Sequence, residues 1–314
     1  VTDIEASLLI LGDNLQTLRA YIPDASVDLV YMDPPFNSGR NYTILDSKSS
    51  VELLHDTFIR TEEFGSFQDT WRWDADSADN IRSLLKSSPP GVVRALNAFK
   101  ELLGECGFLA YITMLAPRII ELWRVLKETG SIYVHCDQRA SAHIRILMDA
   151  VFGAANYLNT IVWCYGLGGS SRRYWPQKHD DILWYSRTPN RHYFEPARIP
   201  ATSQRMKGQT KKAPDYWLIP TVNNMARERV GYPTQKPLAL LERIVISSSP
   251  EGGVVLDPFC GSGTTLVAAE CNRRRWVGID KNSTALNIAQ NRLNNILYRP
   301  VYSYIDAVII NKTE

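Results

Sequence analysis

The 314-residue sequence is as informative in what it lacks as in what it holds. No apolar run reaches the ~18 residues that a membrane-spanning helix needs. The opening VTDIEASLLILGDN has no basic region ahead of its apolar stretch and no cleavage signature. Neither a membrane protein nor a secreted one is therefore expected. The five cysteines, Cys106, Cys136, Cys164, Cys260 and Cys271, never stand at C-x-x-C spacing. That excludes a disulfide framework and a zinc site, and a reducing, cytoplasmic setting fits. His135 and Cys136 adjoin, but two isolated ligands do not make a metal site, so no metal is expected. Internal repeats and low-complexity tracts are missing as well.

An excess of charge of one sign is also absent, since the net charge is only +2, but the average hides an asymmetry. From Arg172 to Arg229 there are twelve Lys/Arg against five Asp/Glu, and the remainder holds 23 basic against 28 acidic residues. Tyr174, Trp175, Trp184, Tyr185, Tyr193, Phe194, Tyr216 and Trp217 are interleaved with those basic residues. A basic, aromatic-rich segment on an otherwise acidic chain suggests a polyanion partner. A solvated loop face would account for the charge equally well.

SLLILGD (7–13) and VDLVYM (27–32) read as strands around a helical NLQTLRAYI, with Asp13 or Asn14 as N-cap. Strand, helix and strand at this spacing form a βαβ unit and so a parallel sheet. Residues 37 to about 105 are polar and turn-rich, with SSPPG at 87–91, and read as a mobile insertion at about 38–105 containing some helix. FLAYITMLAPRIIELWRVL (108–126) has helical spacing, SIYVHCD (131–137) is a strand, and ASAHIRILMDAVFG is a helix closed by glycine. LNTIVWCY (158–165) and DDILWYS (180–186) look like a hairpin-like pair. YPTQKP (232–237) precedes the helix LALLERIVIS. GVVLDPFCGSGTTLVAAE gives strand, glycine loop and helix, and RWVGID (275–280) is a further strand ending in an acid.

Two features carry chemistry. The first is the loop holding Gly261 and Gly263 between a strand and a helix, where small residues let a ligand approach the backbone and the helix start offers free N–H groups. Asp280 ends the next strand, where a carboxylate can take a ribose diol. A third glycine and a G-K-[ST] are both missing, so a nucleoside without phosphates fits better than a dinucleotide or a triphosphate, and S-adenosylmethionine is the obvious one. The second feature is DPPF at 33–36. Proline cannot donate to a β-ladder, so the strand must stop at Asp33. Alone it would read as a rigid turn.

DPPFN, YPTQKP and DPFCGSGTT in that order resemble the DNA amino-methyltransferases in their permuted, β-group arrangement, over nearly the whole chain. The resemblance implies S-adenosylmethionine as cofactor and double-stranded DNA as partner, with the target base flipped out of the duplex. Asp33 and the Pro34 carbonyl would accept hydrogen bonds from an exocyclic amine, Pro34 and Pro35 would fix those oxygens, and Phe36 would stack on the base. No Pro-Cys nucleophile for methylation at carbon is present. Asp13, Thr234, Gln235, Lys236, Asp257, Phe259, Gly261, Gly263, Thr264 and Asp280 would line the cofactor pocket, and Asp137 the base pocket. His135 is expected to have no catalytic part. The basic stretch would be the target-recognition region at 187–229, with Arg187, Arg191, Arg198, Arg205, Lys207, Lys211 and Lys212 on DNA. Residues 38–70 would order over the flipped base.

The expected fold is α/β: a seven-stranded, mostly parallel sheet of the methyltransferase (Rossmann-like) type with one antiparallel strand. Residues 1–186 and 230–300 would form the catalytic core and 301–314 a C-terminal tail. The expected activity is sequence-specific adenine-N6 methylation, because Asp rather than Ser at position 33 resembles the adenine group. Cytosine-N4 methylation is the alternative within the enzyme class, and a catalytically silent specificity subunit the alternative outside it. RNA or protein-glutamine methylation is disfavoured because those enzymes commonly carry NPPY with the cofactor loop first. An oxidoreductase leaves DPPF unexplained. A homodimer, a separate cognate restriction endonuclease and a nucleoid location are compatible with the resemblance.

Overall fold

All six residues of VDLVYM are buried, as expected of a strand covered on both faces. The computed structural model places it near the centre of an α/β/α sandwich, and describes residues 4–36, 40–45, 63–166, 170–201, 203, 205, 207–297 and 308–311. In chain order come β1 (Leu8–Leu11), α1 (Asn14–Tyr21), β2 (Val27–Met32) and an antiparallel hairpin of β3 (Arg40–Leu45) with β4 (Glu63–Asp69). Helices α2 (Ala75–Ser87), α3 (Pro90–Leu103) and α4 (Gly107–Val125) follow, then β5 (Leu126–Cys136), α5 (Ser141–Phe152), β6 (Tyr157–Cys164) and β7 (His179–Ser186). The short strands β8 (Arg198–Pro200), β9 (Thr210–Lys212) and β10 (Tyr216–Leu218) precede α6 (Leu238–Ser248). The last elements are β11 (Val254–Asp257), α7 (Thr264–Cys271), β12 (Arg275–Asp280), α8 (Ser283–Leu297) and β13 (Val308–Asn311).

The main sheet has the order β10-β6-β7-β5-β2-β11-β12-β1-β13. The seven strands read from the sequence are its seven inner members, and one short strand is added at each edge. β7 alone runs antiparallel to its neighbours. β2 pairs with β5 on one side and with β11 on the other, matching Val30 to Leu256. That join unites the two halves of the chain. It is tied by buried Asp28, whose Oδ2 accepts from the Val254 N–H and from Lys127 Nζ, both at 2.8 Å.

One core, between the sheet and α1 to α5, is built on Leu18, Leu96, Ile112, Leu115 and Leu147. The other, under α6 to α8, is built on Leu240, Ile244, Leu266 and Leu293. The expected mobile insertion differs from the structure in its second half. α2 and α3 bury Ile81, Val92, Leu96 and Phe99, whose spacing is that of an amphipathic helix face. The prolines read as a turn instead start α3, with Pro90 as its first residue, where a missing N–H costs nothing. Residues 46–62, and with them most of the segment expected to order over a base, lie outside the described residues. Among the described residues no helix is long and apolar enough to cross a membrane.

Candidate active site

β1, β2, β5, β11 and β12 are parallel, so their C-terminal ends lie on one side of the sheet, where open α/β folds keep their ligand crevices. A cavity of about 760 Å³ opens there, lined from the β1 turn, DPPF, Tyr232, Thr234, Lys236 and the glycine loop.

The glycine loop is shaped by close approach. Gly263 is left-handed at φ +74°, and a Cβ there would stand 2.7 Å from the Ala289 Cβ. Gly261 has φ +49°, and its missing Cβ makes room for the Tyr232 ring at 3.2 Å. Asp257, at the end of β11, holds the loop from inside. Its Oδ1 accepts the Phe259 N–H at 3.0 Å and its Oδ2 the Thr265 hydroxyl at 2.6 Å. Burial pushes the Asp257 carboxyl up to about 7, against those two hydrogen bonds. Asp280 accepts the Gly261 N–H at 2.9 Å on one oxygen and the Asn282 N–H at 2.9 Å on the other. Each oxygen keeps a second lone pair, the acceptor capacity a ribose diol requires. Burial raises this carboxyl too. Phe259 also lines the cavity, and Thr264 opens α7 with its hydroxyl accepting from Arg292 at 2.9 Å. A backbone cleared of side chains, beside a carboxylate with spare acceptors, fits a nucleoside ligand.

Asp13 caps α1, its Oδ1 accepting from the N–H groups of Leu15 and Gln16 at 3.0 and 3.1 Å. Its Oδ2 accepts from Arg118 at 2.7 Å, and both residues line the cavity. Asn14 carries the contact onward, donating to the Pro258 carbonyl at 2.7 Å.

On the DPPF side, Asp33 is paired through Oδ2 with the Lys236 ammonium. That ammonium lies 5.3 Å from the centre of the Phe36 ring, and His135 packs on Phe36 at 5.6 Å. His135 is fully buried. Tyr31 meets His135 Nδ1 at 2.8 Å, and His135 Nε2 meets Asp180 Oδ2 at 3.1 Å. Burial, then the charges of Asp33, Asp257 and Asp180, raise Tyr31 well above the usual phenol range. Asp180 offers only acceptor oxygens, so His135 Nε2 is the donor of that contact.

Several residues sit elsewhere than expected. Gln235 does not face the cavity: its amide donates to the Glu228 carbonyl at 2.6 Å and accepts from the Val230 N–H at 2.9 Å. Thr234 and Lys236 do line it, Lys236 on the DPPF side. Asp137 accepts from the N–H groups of Arg139 and Ala140 in the turn before α5 and pairs with the Arg139 side chain. Of the expected DNA contacts, Arg187 follows β7 at the opposite end of the sheet, donating its N–H to Gly130 and stacking over Trp123 at 3.2 Å. Arg191 is paired with Glu128 at that same far end. β8 and β9 pair with each other, their base tied by Ala213 to Ala197, and Arg198 donates to Thr210 across them. Glu195, just before this hairpin, bonds to Ser247 at the end of α6. Arg205, Lys207 and Lys212 are exposed and Lys211 half-buried. Basic residues that do rise from the cavity end include Arg172, Arg173 and Lys178 in the β6–β7 connection, beside Tyr174 at 72% and Trp175 at 94% exposure.

Sequence reasoning missed Asn14, Arg118, Tyr232, Arg292 and the Tyr31–His135–Asp180 chain. Tyr232 stood in the YPTQKP motif and Asn14 beside Asp13. The others gave no local signal, because their partners are distant in sequence.

The DNA methylase family model, N6_N4_Mtase, matches residues 27–291. The Type II methyltransferase M.HpaI of Haemophilus parainfluenzae is 28% identical over 91% of this chain and 74% of its own. The DNA adenine methyltransferase YhdJ of Escherichia coli (strain K12) is also 28% identical, over 92% of this chain and 83% of its own. Among solved structures, the M1.HpyAVI–SAM complex superposes with a TM-score of 0.53 at 16% identity, covering 91% of this chain and 99% of that one. The match spans the glycine loop, DPPF and every strand between them: the chain belongs to the DNA methylase family.

Proposed function

We propose that this DNA methyltransferase of the N6/N4 family methylates the N6 amine of adenine at a specific sequence in double-stranded DNA. S-adenosylmethionine is the methyl donor, and when bound it supplies an electrophilic methyl group on a sulfonium. Gly261 and Gly263 leave backbone room for it, Asp280 would take its ribose hydroxyls, and Tyr232 and Phe259 would flank it. The observation that carries the reading is Asp33, one cavity away from the glycine loop and placed at a strand end that proline terminates.

Asp33 and the Pro34 carbonyl are both acceptors, which suits an amine with two protons. Holding both N–H groups turns the nitrogen lone pair out of conjugation with the ring. The Asp33 carboxylate would stabilise the positive charge that grows on nitrogen until one of its two protons leaves to solvent. Orientation and electrostatics carry the reaction without a covalent intermediate. Phe36 would stack on the base, and His135 holds Phe36 from behind. Residues 172–178 would face the DNA, in place of Arg187 and Arg191. The names of the relatives support the base assignment, since YhdJ is an adenine enzyme. They likewise support a role in restriction-modification, since M.HpaI is a Type II methyltransferase. The family description covers both N6 and N4 enzymes, so cytosine-N4 methylation is the second reading.

The test is transfer of label from S-adenosylmethionine to unmethylated genomic DNA, followed by nucleoside analysis. Label in N6-methyladenine is the expected result. Label in N4-methylcytosine would keep the family and overturn the choice of base. No label despite cofactor binding would favour a silent specificity subunit.

A further inference from the structure

The site holds Asp33 in a state that does not suit the role just proposed for it. With the Lys236 ammonium on Oδ2, the carboxylate is neutralised as a pair, and a fixed positive charge stands where the target nitrogen must itself become positive. The side chains of Lys236 and Asp33 are only 12% and 18% exposed, so water does little to weaken either effect. An ammonium so placed leaves only for another anion, because an unpaired charge in a desolvated site is costly.

Asp180 is built as that second anion. One oxygen is fixed by His135, itself fixed by Tyr31. Among the described residues the other oxygen has a single hydrogen bond, to the Tyr165 hydroxyl at 3.5 Å, the long limit of such a contact. Burial would raise the Asp180 carboxyl. The hydrogen bond and charge of His135, then the Lys236 charge, outweigh it and hold the group below the usual carboxylate range. Lys236 and His135 lie against the same Phe36 ring, which brings the ammonium to the side of the site where His135 holds Asp180. Lysine suits a move of this kind, being a point charge on a flexible four-carbon stem.

We propose that Lys236 is a latch on Asp33 which the target amine displaces, and that Asp180, held by the Tyr31–His135 chain, receives the released ammonium. The inference rests on Asp33 taking the target amine. Binding a base in the cleft then exchanges one ion pair for another, without stranding a charge, and frees Asp33 at the moment it is needed. Asp180 and His135 are positioning residues in this scheme, acting through Lys236 and Phe36.

The test is a double-mutant cycle on the full chain with D180N, K236M and the double variant. Methyl transfer to unmethylated genomic DNA is measured at saturating S-adenosylmethionine over a range of DNA concentrations, and cofactor affinity is measured separately by calorimetry. D180N should lose about tenfold or more in kcat/KM for DNA, and adding K236M should recover most of it, a coupling expected only of residues that share an interaction. Cofactor affinity should change by less than about threefold in all three. A double variant no better than D180N would overturn the latch, since a purely structural Asp180 is not rescued by removing a lysine. Loss of cofactor affinity in K236M would overturn it as well, returning Lys236 to the cofactor. If D180N does not fold, K236M alone decides: its KM for DNA should fall, and a rise refutes the latch. A wild-type chain that transfers nothing to DNA would instead refute the underlying activity.

Discussion

Asp257→Asn is a replacement that should stabilise the protein, and only above a certain pH. Asp257 is wholly buried, with a carboxyl raised from 3.8 to about 7. Well below its unfolded value of 3.8 it is protonated whether the chain is folded or not. As pH rises, the unfolded chain ionises first and gains hydration that the folded chain forgoes. Stability present at low pH is therefore lost progressively between about 4 and 7, at ~1.36 kcal/mol per unit. Asparagine escapes this loss and can keep both bonds, accepting from Phe259 N–H and donating to the Thr265 hydroxyl, which rotates to receive it. The stability difference between D257N and wild type should thus shift in favour of D257N by roughly 2–3 kcal/mol from pH 5 to pH 8. Urea unfolding at four pH values, followed by tryptophan fluorescence, measures it. A difference that does not vary with pH would refute the argument, because it would mean that Asp257 is already ionised, or already relieved, in the folded chain. A functional corollary is that S-adenosylmethionine, bearing a sulfonium, binds more tightly as wild type passes through pH 7 and not in D257N.

Asp33→Ala should lower kcat by about 10²–10³-fold, the scale of removing a preorganised charge-stabilising group, with cofactor affinity retained on calorimetry. Gly263→Ala forces a left-handed alanine against Ala289 and should cost about 2–4 kcal/mol in chemical denaturation, with weakened cofactor binding. Removing Arg172 and Arg173 together should weaken DNA binding and flatten the slope of log K against log salt by about 2, read by fluorescence anisotropy. The pair Arg187→Ala and Arg191→Ala should leave that slope unchanged.

What could be read in the sequence was whatever repeats a local rule. The inner strands announced themselves through apolar runs ending at Asp33, Asp257 and Asp280, and the glycine loop through residues no side chain could replace. The edge strand β10 did not, since three residues with one buried position carry no period. α3 was hidden by its two prolines, whose usual meaning as a turn yields to the buried face formed by Val92, Leu96 and Phe99. Charge was the most misleading guide. Arg187 and Arg191 belong to a basic segment, yet the reversal of β7 carries them to the far end of the sheet, and nothing in a one-dimensional count records that reversal. The His135–Asp180 contact joins residues 45 apart, and Arg118 to Asp13 joins residues 105 apart. Motif spacing does not reach so far.

The sheet order also has a consequence for how the protein is made. β2 waits for β11, with Asp28 and Val254 separated by 226 positions. β1 waits for β12, and Ser7 reaches Trp276 across 269. Both strands are thus made long before those partners. Until those partners emerge, β1 and β2 each present a bare apolar edge to the cell. Such late, non-local pairing makes folding slow and the unfinished chain prone to association. A gene rearranged so that the segment from Glu251 onward precedes β1 would translate β11, β12, β13, β1 and β2 in succession. It should fold during synthesis with less dependence on chaperones, while keeping the same cleft.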